Sequence, residues 1–311
     1  MVPPVSSSPT PSIRTGNVRS CLKKMDKKDK ISILIVSDIH ESIENLNKLR
    51  ENCEKHSYKP DYIFILGDLV SVPVGDQDKK EIGETYYNLI NEILKLLENI
   101  SPKVIYIPGN RDPKILFENE DNKVKFGSSS INIHKKKYDI TDNLFVVGIG
   151  GSVTNISSNE KEYHKYNVSF NDVDWKGFPY IDNFEKPNFE KGEMLYKKDL
   201  DIIFNFIKEN KNKKVIILCH NGPFKSSSSN CFENNGCYYG GSLILDNYIN
   251  ENKNNILSVL HGHTHLGTGI CTLYDINVLN PGSLKLGFYG KMDLVERNGN
   301  WIVKNISKFR F

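Results

Sequence analysis

A chain of 311 residues, 25% charged and 38% apolar, has an ordinary globular make-up and is long enough for one large domain with its own core. Its formal net charge of +3 is uneven, because residues 1–30 hold seven Lys and Arg against Asp26 and Asp29, a local +5 that leaves the remainder at −2. A body so near neutrality gives no support to broad nucleic-acid binding, and no apolar run approaches the ~20 residues of a membrane span.

The first 30 residues lack the apolar core and small-residue cleavage site of a secretory signal, so a cytoplasmic location is expected. They read as a disordered Pro/Ser tail ending in a solvated Lys run, with an organellar transit peptide as the alternative. From residue 31 to 311 the pattern is one α/β domain. A strand over 32–37 leads to a helix near 42–56, a strand over 61–66 to a helix near 80–99, and a strand over 103–107 to a short helical turn after Pro113. Residues 131–149 predict two or three further strands, the last ending at Phe145-Val146-Val147-Gly148-Ile149. The polar, aromatic stretch 154–187 has no periodicity and is too long for an ordinary connection, which suits a lid, a cap or a disordered insertion. Its Tyr163, Tyr166, Phe170, Trp175, Phe178 and Tyr180 either stack on a base or pack the loop against the body.

Next come a helix near 193–210, a strand over 214–219 and a second loop, 221–241, rich in Ser, Asn and Gly. Ser242 is placed to cap a short helix ending before Lys253. A strand over 256–260 precedes small antiparallel strands across 269–305. The six cysteines show no C-x-x-C spacing; Cys231 and Cys237 share a loop, but without a secretory signal they read as free thiols.

The chemistry gathers where these strands end. Ile33-Leu34-Ile35-Val36 runs into Asp38-Ile39-His40, Ile63-Phe64-Ile65-Leu66 into Gly67-Asp68, and Val104-Ile105-Tyr106-Ile107 into Gly109-Asn110-Arg111-Asp112. Val215-Ile216-Ile217-Leu218 leads to His220, and Ile256-Leu257-Ser258-Val259-Leu260 to Gly262-His263-Thr264-His265. Buried strands thus deliver carboxylates, an amide and imidazoles to strand ends, where open α/β sheets carry their sites. Residues two apart, Asp38 with His40 and His263 with His265, can share one side of a turn, and Gly262 lets the backbone come close. Such a donor set suits two divalent ions ~3.5–4 Å apart, with Asp68 the natural bridge. It admits manganese, iron, zinc, nickel or magnesium without choosing among them.

The ordered string resembles the calcineurin-like metallophosphoesterase superfamily, whose motifs run D-x-H, G-D, G-N-H-[DE], H and G-H-x-H in this order. The resemblance spans residues 33–283. It implies a four-layer α/β sandwich of two mixed β-sheets flanked by helices, with 131–149 and 269–305 supplying strands of the second sheet. It further implies that Asp38, His40, Asp68 and His265 hold one metal ion, and Asp68, Asn110, His220 and His263 the other. The activity implied is hydrolysis of a small-molecule phosphoester by a metal-bridging hydroxide.

Arg111 departs from the pattern, standing where the family has a His that steadies or protonates the leaving oxygen. A guanidinium stays protonated and cannot be a general acid, but its planar fork can clamp phosphate oxygens. An inert surface role or a pairing with Asp112 are its other readings. Family branches lacking that His, with Asn-Pro-Gly-Ser after the last metal motif as at Asn280-Pro281-Gly282-Ser283, resemble phosphodiesterases, so a phosphodiester is the expected substrate. The alternative is a catalytically weak scaffold that binds a protein partner; a repair-type nuclease fits the near-neutral body poorly. Three further features have two readings each. His261 ends a strand or supports a ligand, Gly150-Gly151-Ser152 turns the chain or cradles a phosphate, and His134-Lys135-Lys136-Lys137 is a solvated hairpin or a steering patch.

Overall fold

The computed structural model describes residues 29–73, 76–77, 79–118, 124–153, 178–180, 188–233 and 236–311. The expected basic tail, apart from residues 29–30, and the expected lid or cap at 154–187, apart from residues 178–180, lie outside these. Two mixed six-stranded sheets face each other, and helices cover their outer faces.

The first half of the chain alternates as its apolar runs require. Strand β1 (Lys30–Val36) is followed by α1 (Ile43–Lys55), β2 (Tyr62–Ile65) by α2 (Lys80–Glu98), and β3 (Val104–Tyr106) by the short α3 (Ile115–Glu118). β1, β2 and β3 pair in parallel. Their side chains alternate between faces, and both faces are buried. Ile33, Ile35 and Phe64 enter the core between the sheets, while Leu34, Val36, Ile63 and Ile65 meet the helices. The helices answer with stripes at helical spacing, Leu46, Leu49 and Cys53 on α1 and Ile90, Ile93, Leu94 and Leu97 on α2.

Three strands follow, as expected: β4 (Ile131–Asn132), β5 (Lys137–Thr141) and β6 (Leu144–Ile149). Helix α4 (Phe189–Glu209) begins a turn earlier than its apolar pattern suggested, because Asn188 caps it by accepting the Lys191 amide at 2.9 Å. β7 (Lys214–Cys219) matches the expectation. The stretch 221–241 is more ordered than a plain loop. It holds a 3-10 turn at Ser227–Ser229 and a hairpin of β8 (Asn230–Glu233) and β9 (Gly236–Tyr239) whose backbones pair. The side chains of Cys231 and Cys237 fall outside the described part; Cys53, Cys219 and Cys271 are free thiols. Ser242 caps α5 (Leu243–Asn252) through the Leu245 amide, as read from the sequence. β10 (Ile256–His261), β11 (Gly269–Leu273), β12 (Ile276–Asn280), β13 (Phe288–Arg297) and β14 (Asn300–Arg310) complete the chain.

One expectation fails in detail. The strands of 131–149 and 269–305 do not all join the second sheet. That sheet runs β11-β12-β10-β7-β6-β5, whereas β4, β13 and β14 belong to the first, ordered β14-β13-β1-β2-β3-β4. The reason is edge closure: β1 heads the parallel run, and β13 pairs antiparallel along it from Lys30 to Ile35 before β14 covers β13 in turn. The last two strands are also long, at 10 and 11 residues. Among the described residues no helix is long and apolar enough to cross a membrane.

Candidate metal centre

The parallel strands of both sheets point their C-terminal ends at one region. β1, β2 and β3 of the first sheet lead to Asp38, Asp68 and Asn110; β7 and β10 of the second lead to His220 and His263. Leaving the pleat requires backbone that L-residues rarely adopt. Asp38, His40, Asp68 and His263 have φ of 51°, 46°, 54° and 69°. Such strain persists only where surrounding bonds over-determine it. Here the amide of Asp38 donates to the Gly67 carbonyl at 3.0 Å, and those of Ile39 and His40 donate to the Asp68 carbonyl at 2.8 and 3.1 Å. The first two motifs are therefore zipped together by main chain.

Side chains converge on two overlapping places. The ligand atoms of Asp38, His40, Asp68 and His265 all lie within 4.8 Å of one another. The Nε2 atoms of His40 and His265 stand 3.0 Å apart, and Asp38 Oδ1 is 3.2 Å from His265 Nε2. Beside them, His220 Nε2 is 2.9 Å from Asn110 Oδ1 and 3.4 Å from Asp68 Oδ2, and the rings of His220 and His263 meet edge-on at 5.1 Å. Asp68 Oδ2 is also 3.8 Å from His40 Nε2, so one oxygen faces both groups, while Oδ1 accepts the Arg111 amide at 2.7 Å. All seven expected residues thus meet at one place.

The donor set fits divalent cations on three counts. Asp38 Oδ1 is buried with only imidazole nitrogens beside it, His265 Nε2 at 3.2 Å and His40 Nε2 at 4.0 Å, an arrangement that is costly unless a ring proton or a cation offsets the charge. His220 Nδ1 faces the Leu66 carbonyl at 2.7 Å and must donate to it, which leaves Nε2 as the nitrogen that could meet a cation. That nitrogen and Asn110 Oδ1 then present lone pairs to each other, a contact that needs a proton or a cation between them. Burial and the neighbouring charges also shift the titration of these groups. Burial would lower His220, but the Asp68 carboxylate beside it raises it to about 9. Burial would raise Asp68, and the His220 charge instead holds it below the usual carboxylate range. His263, buried and next to His220, falls to about 3.

The close approaches depend on glycine. A Cβ at Gly262 would sit 1.8 Å from Ser37 Oγ and 2.7 Å from Asp38 Oδ2, which bears out the reading that Gly262 brings the last motif in. At Gly67, φ is +100°, and a Cβ would lie 2.6 Å from His220 Nδ1.

Other polar groups brace the loops. Asp112 is fully buried and accepts the amides of Gly109 at 2.7 Å and Val70 at 3.0 Å; burial and the Asp68 charge push its carboxyl up to about 8. Arg111 is half-buried; burial and the Glu41 charge raise the Tyr86 phenol, while the Arg111 charge lowers it. Asn280, noticed in the sequence only as part of a family mark, is a fastener. Its Nδ2 donates to the carbonyls of Thr264 at 2.9 Å and Ser228 at 3.1 Å, and its Oδ1 accepts the Gly282 amide. Ser283 Oγ donates to the Asp38 carbonyl at 2.7 Å, which ties this turn to the first motif.

The two-way readings resolve. His261 ends β10, as one reading had it, and from that buried position it also braces the following loop, with Nδ1 donating to the Gly262 carbonyl and Nε2 2.8 Å from Ser228 Oγ; burial lowers it to about 4. Gly150-Gly151-Ser152 is a turn and not a cradle, because its three amides already donate to His134 Nδ1, the Pro108 carbonyl and the Phe178 carbonyl. The basic run is not a solvated hairpin throughout: His134 is buried and Lys137 opens β5 over the Phe145 ring. Of the loop aromatics, Phe178 and Tyr180 pack against Phe117 and Tyr196, and the other four lie outside the described residues.

Comparison with known proteins was consistent with this geometry. The family model described as calcineurin-like phosphoesterase matches residues 31–267. A solved protein structure aligns with TM-score 0.62 at 15% identity, over 91% of this chain and 99% of its own. A protein of Thermus thermophilus aligns with TM-score 0.50 at 19% identity, over 88% and 98%. GAP50, the anchor in the inner membrane complex of Plasmodium, aligns with TM-score 0.51 at 12% identity, over 91% and 90%. At these identities the likenesses speak for the fold alone. No protein of curated function matches the chain.

Proposed function

The chain belongs to the calcineurin-like phosphoesterase family, and from that premise we propose that it hydrolyses small phosphodiesters with the help of two divalent ions, in a cytoplasmic setting. The observation that carries the reading is Asp68, whose Oδ2 lies 3.8 Å from His40 Nε2 and 3.4 Å from His220 Nε2 and so belongs to both donor groups. Asp38, His40, Asp68 and His265 would hold one ion, and Asp68, Asn110, His220 and His263 would hold the other. When bound, the ions supply an activated water and Lewis acidity toward phosphorus.

The protein's own groups do the rest. Asn110, fixed by its neighbours at the end of β3, faces the same space as the imidazoles and can meet a phosphoryl oxygen as well as an ion. Arg111 follows it, its amide held by Asp68 Oδ1 at 2.7 Å and its side chain half-buried. A guanidinium cannot protonate a leaving group, so Arg111 steadies charge on phosphate oxygens through its fork. Substrates whose leaving group needs little proton assistance suit that exchange, since lost acid catalysis alone costs ~10²–10⁴ in rate. This favours diesters of acidic alcohols.

The experiment is an activity matrix of metal against substrate: manganese, iron, zinc, nickel and magnesium, each with aryl phosphodiesters, cyclic nucleotides, monoesters and pyrophosphates. Turnover of diesters above the others is expected. Hydrolysis of monoesters alone would overturn the diester half, and two-ion binding without any turnover would favour a scaffold that binds a protein partner. Arg111→Ala is expected to lower kcat/KM by ~10–100-fold, the worth of one charge-assisted contact of about 1.5–3 kcal/mol, with both ions still bound. Unchanged turnover on every ester would remove Arg111 from the mechanism.

A further inference from the structure

We propose that Ser71 and Glu41, neither of them a ligand, are positioning residues that set the affinity of the ion held by Asp38, His40, Asp68 and His265; this rests on the two-ion reading above.

Ser71 Oγ lies 2.9 Å from a Glu41 carboxylate oxygen and 2.9 Å from His40 Nδ1. A carboxylate only accepts, so the single hydroxyl proton points to Glu41. Ser71 must then accept from His40, which places the imidazole proton on Nδ1. His40 Nε2 is left bare, and it is this atom that lies 3.0 Å from His265 Nε2 and 3.8 Å from Asp68 Oδ2. One tautomer follows from one hydroxyl.

The relay is held at both ends. The Ser71 amide donates to the other Glu41 oxygen, so the carboxylate grips its residue twice. Glu41 and His40 share left-handed backbone, φ 57° and 46°, and the Glu41 amide donates to the Leu69 carbonyl at 3.1 Å. The turn bearing His40 and the turn bearing Ser71 therefore cannot drift apart without breaking several bonds.

The second group is supported differently. There His220 donates to the neutral Leu66 carbonyl. A carboxylate behind a hydroxyl makes a stronger, charge-assisted chain than a carbonyl does, and it makes His40 the more basic donor. Disturbing Ser71 should weaken one ion and spare its neighbour, which general loosening of the fold would not do.

The test is binding of manganese alone, by titration calorimetry and metal analysis, to the full chain and to Ser71→Ala, Ser71→Thr and Glu41→Gln. Ser71→Ala should bind one ion ~10–100-fold more weakly, as such outer contacts typically allow, with the other ion within about twofold of the parent. Ser71→Thr, which keeps the hydroxyl, should restore the lost affinity, and Glu41→Gln should fall between. Equal weakening of both ions, or no weakening of either, would overturn the proposal. A parent that binds two ions yet hydrolyses no phosphoester would sink the functional reading and leave this one standing.

Discussion

Asp68→Asn should abolish turnover while leaving a folded protein. The amide oxygen can still accept the Arg111 amide that Asp68 Oδ1 accepts at 2.7 Å, so the loop keeps its anchor. What disappears is the anionic Oδ2 shared by His40 and His220 at 3.8 and 3.4 Å. Both donor groups lose a carboxylate at once, and the bound metal should fall below two per chain. Charge stabilisation of several kcal/mol depends on that pair of ions, so a loss of at least ~10³ in kcat/KM is expected. Metal analysis beside a diester assay reads both effects. Full metal content with parental turnover would show that Asp68 does not bridge.

Gly109→Ala should be the most damaging change of a single methyl group. A Cβ there would lie 2.1 Å from Asp68 Oδ1 and 2.3 Å from Asp68 N. The second neighbour is backbone and cannot swing aside. The strand ends carrying Asp68 and Asn110 would have to separate, which undoes the overlap of the two donor groups. Overpacking of this kind costs about 1–3 kcal/mol, a fall of several degrees in Tm, and activity should be lost with it. Gly269→Ala is the control, since nothing lies within 4 Å of its added methyl. Parental Tm and turnover in Gly109→Ala would mean that the two loops can part without consequence.

Much of this site was legible in the chain because it is built from short local units. Each motif directly follows an apolar run, and a strand carries whatever follows it to the same end of its sheet. Asp38 and His40, or His263 and His265, needed only their spacing of two to be read as neighbours. The helices were legible for a similar reason, since Leu46, Leu49 and Cys53 repeat at helical intervals. Where the reading was coarse, the missing information was pairing between distant segments. β13 lies against β1 because an edge there needed covering, and nothing local in Phe288–Arg297 says which sheet it joins. His134 looks like the start of a solvated basic run until β6 and its turn bring the Gly150 amide onto its Nδ1.

The same division holds at the chemistry. Sequence alone picked out the seven residues that the fold brings together, because residue types and strand-end placement are local properties; that Arg111 stands where a His is usual came from the family resemblance instead. Only the tertiary structure decided how each imidazole is turned. His220 takes its orientation from a carbonyl 154 residues away, His40 from a serine 31 residues away, and the last metal motif from Asn280. A tautomer is set by the partner of the other ring nitrogen, and that partner is supplied by whichever segment the fold lays alongside.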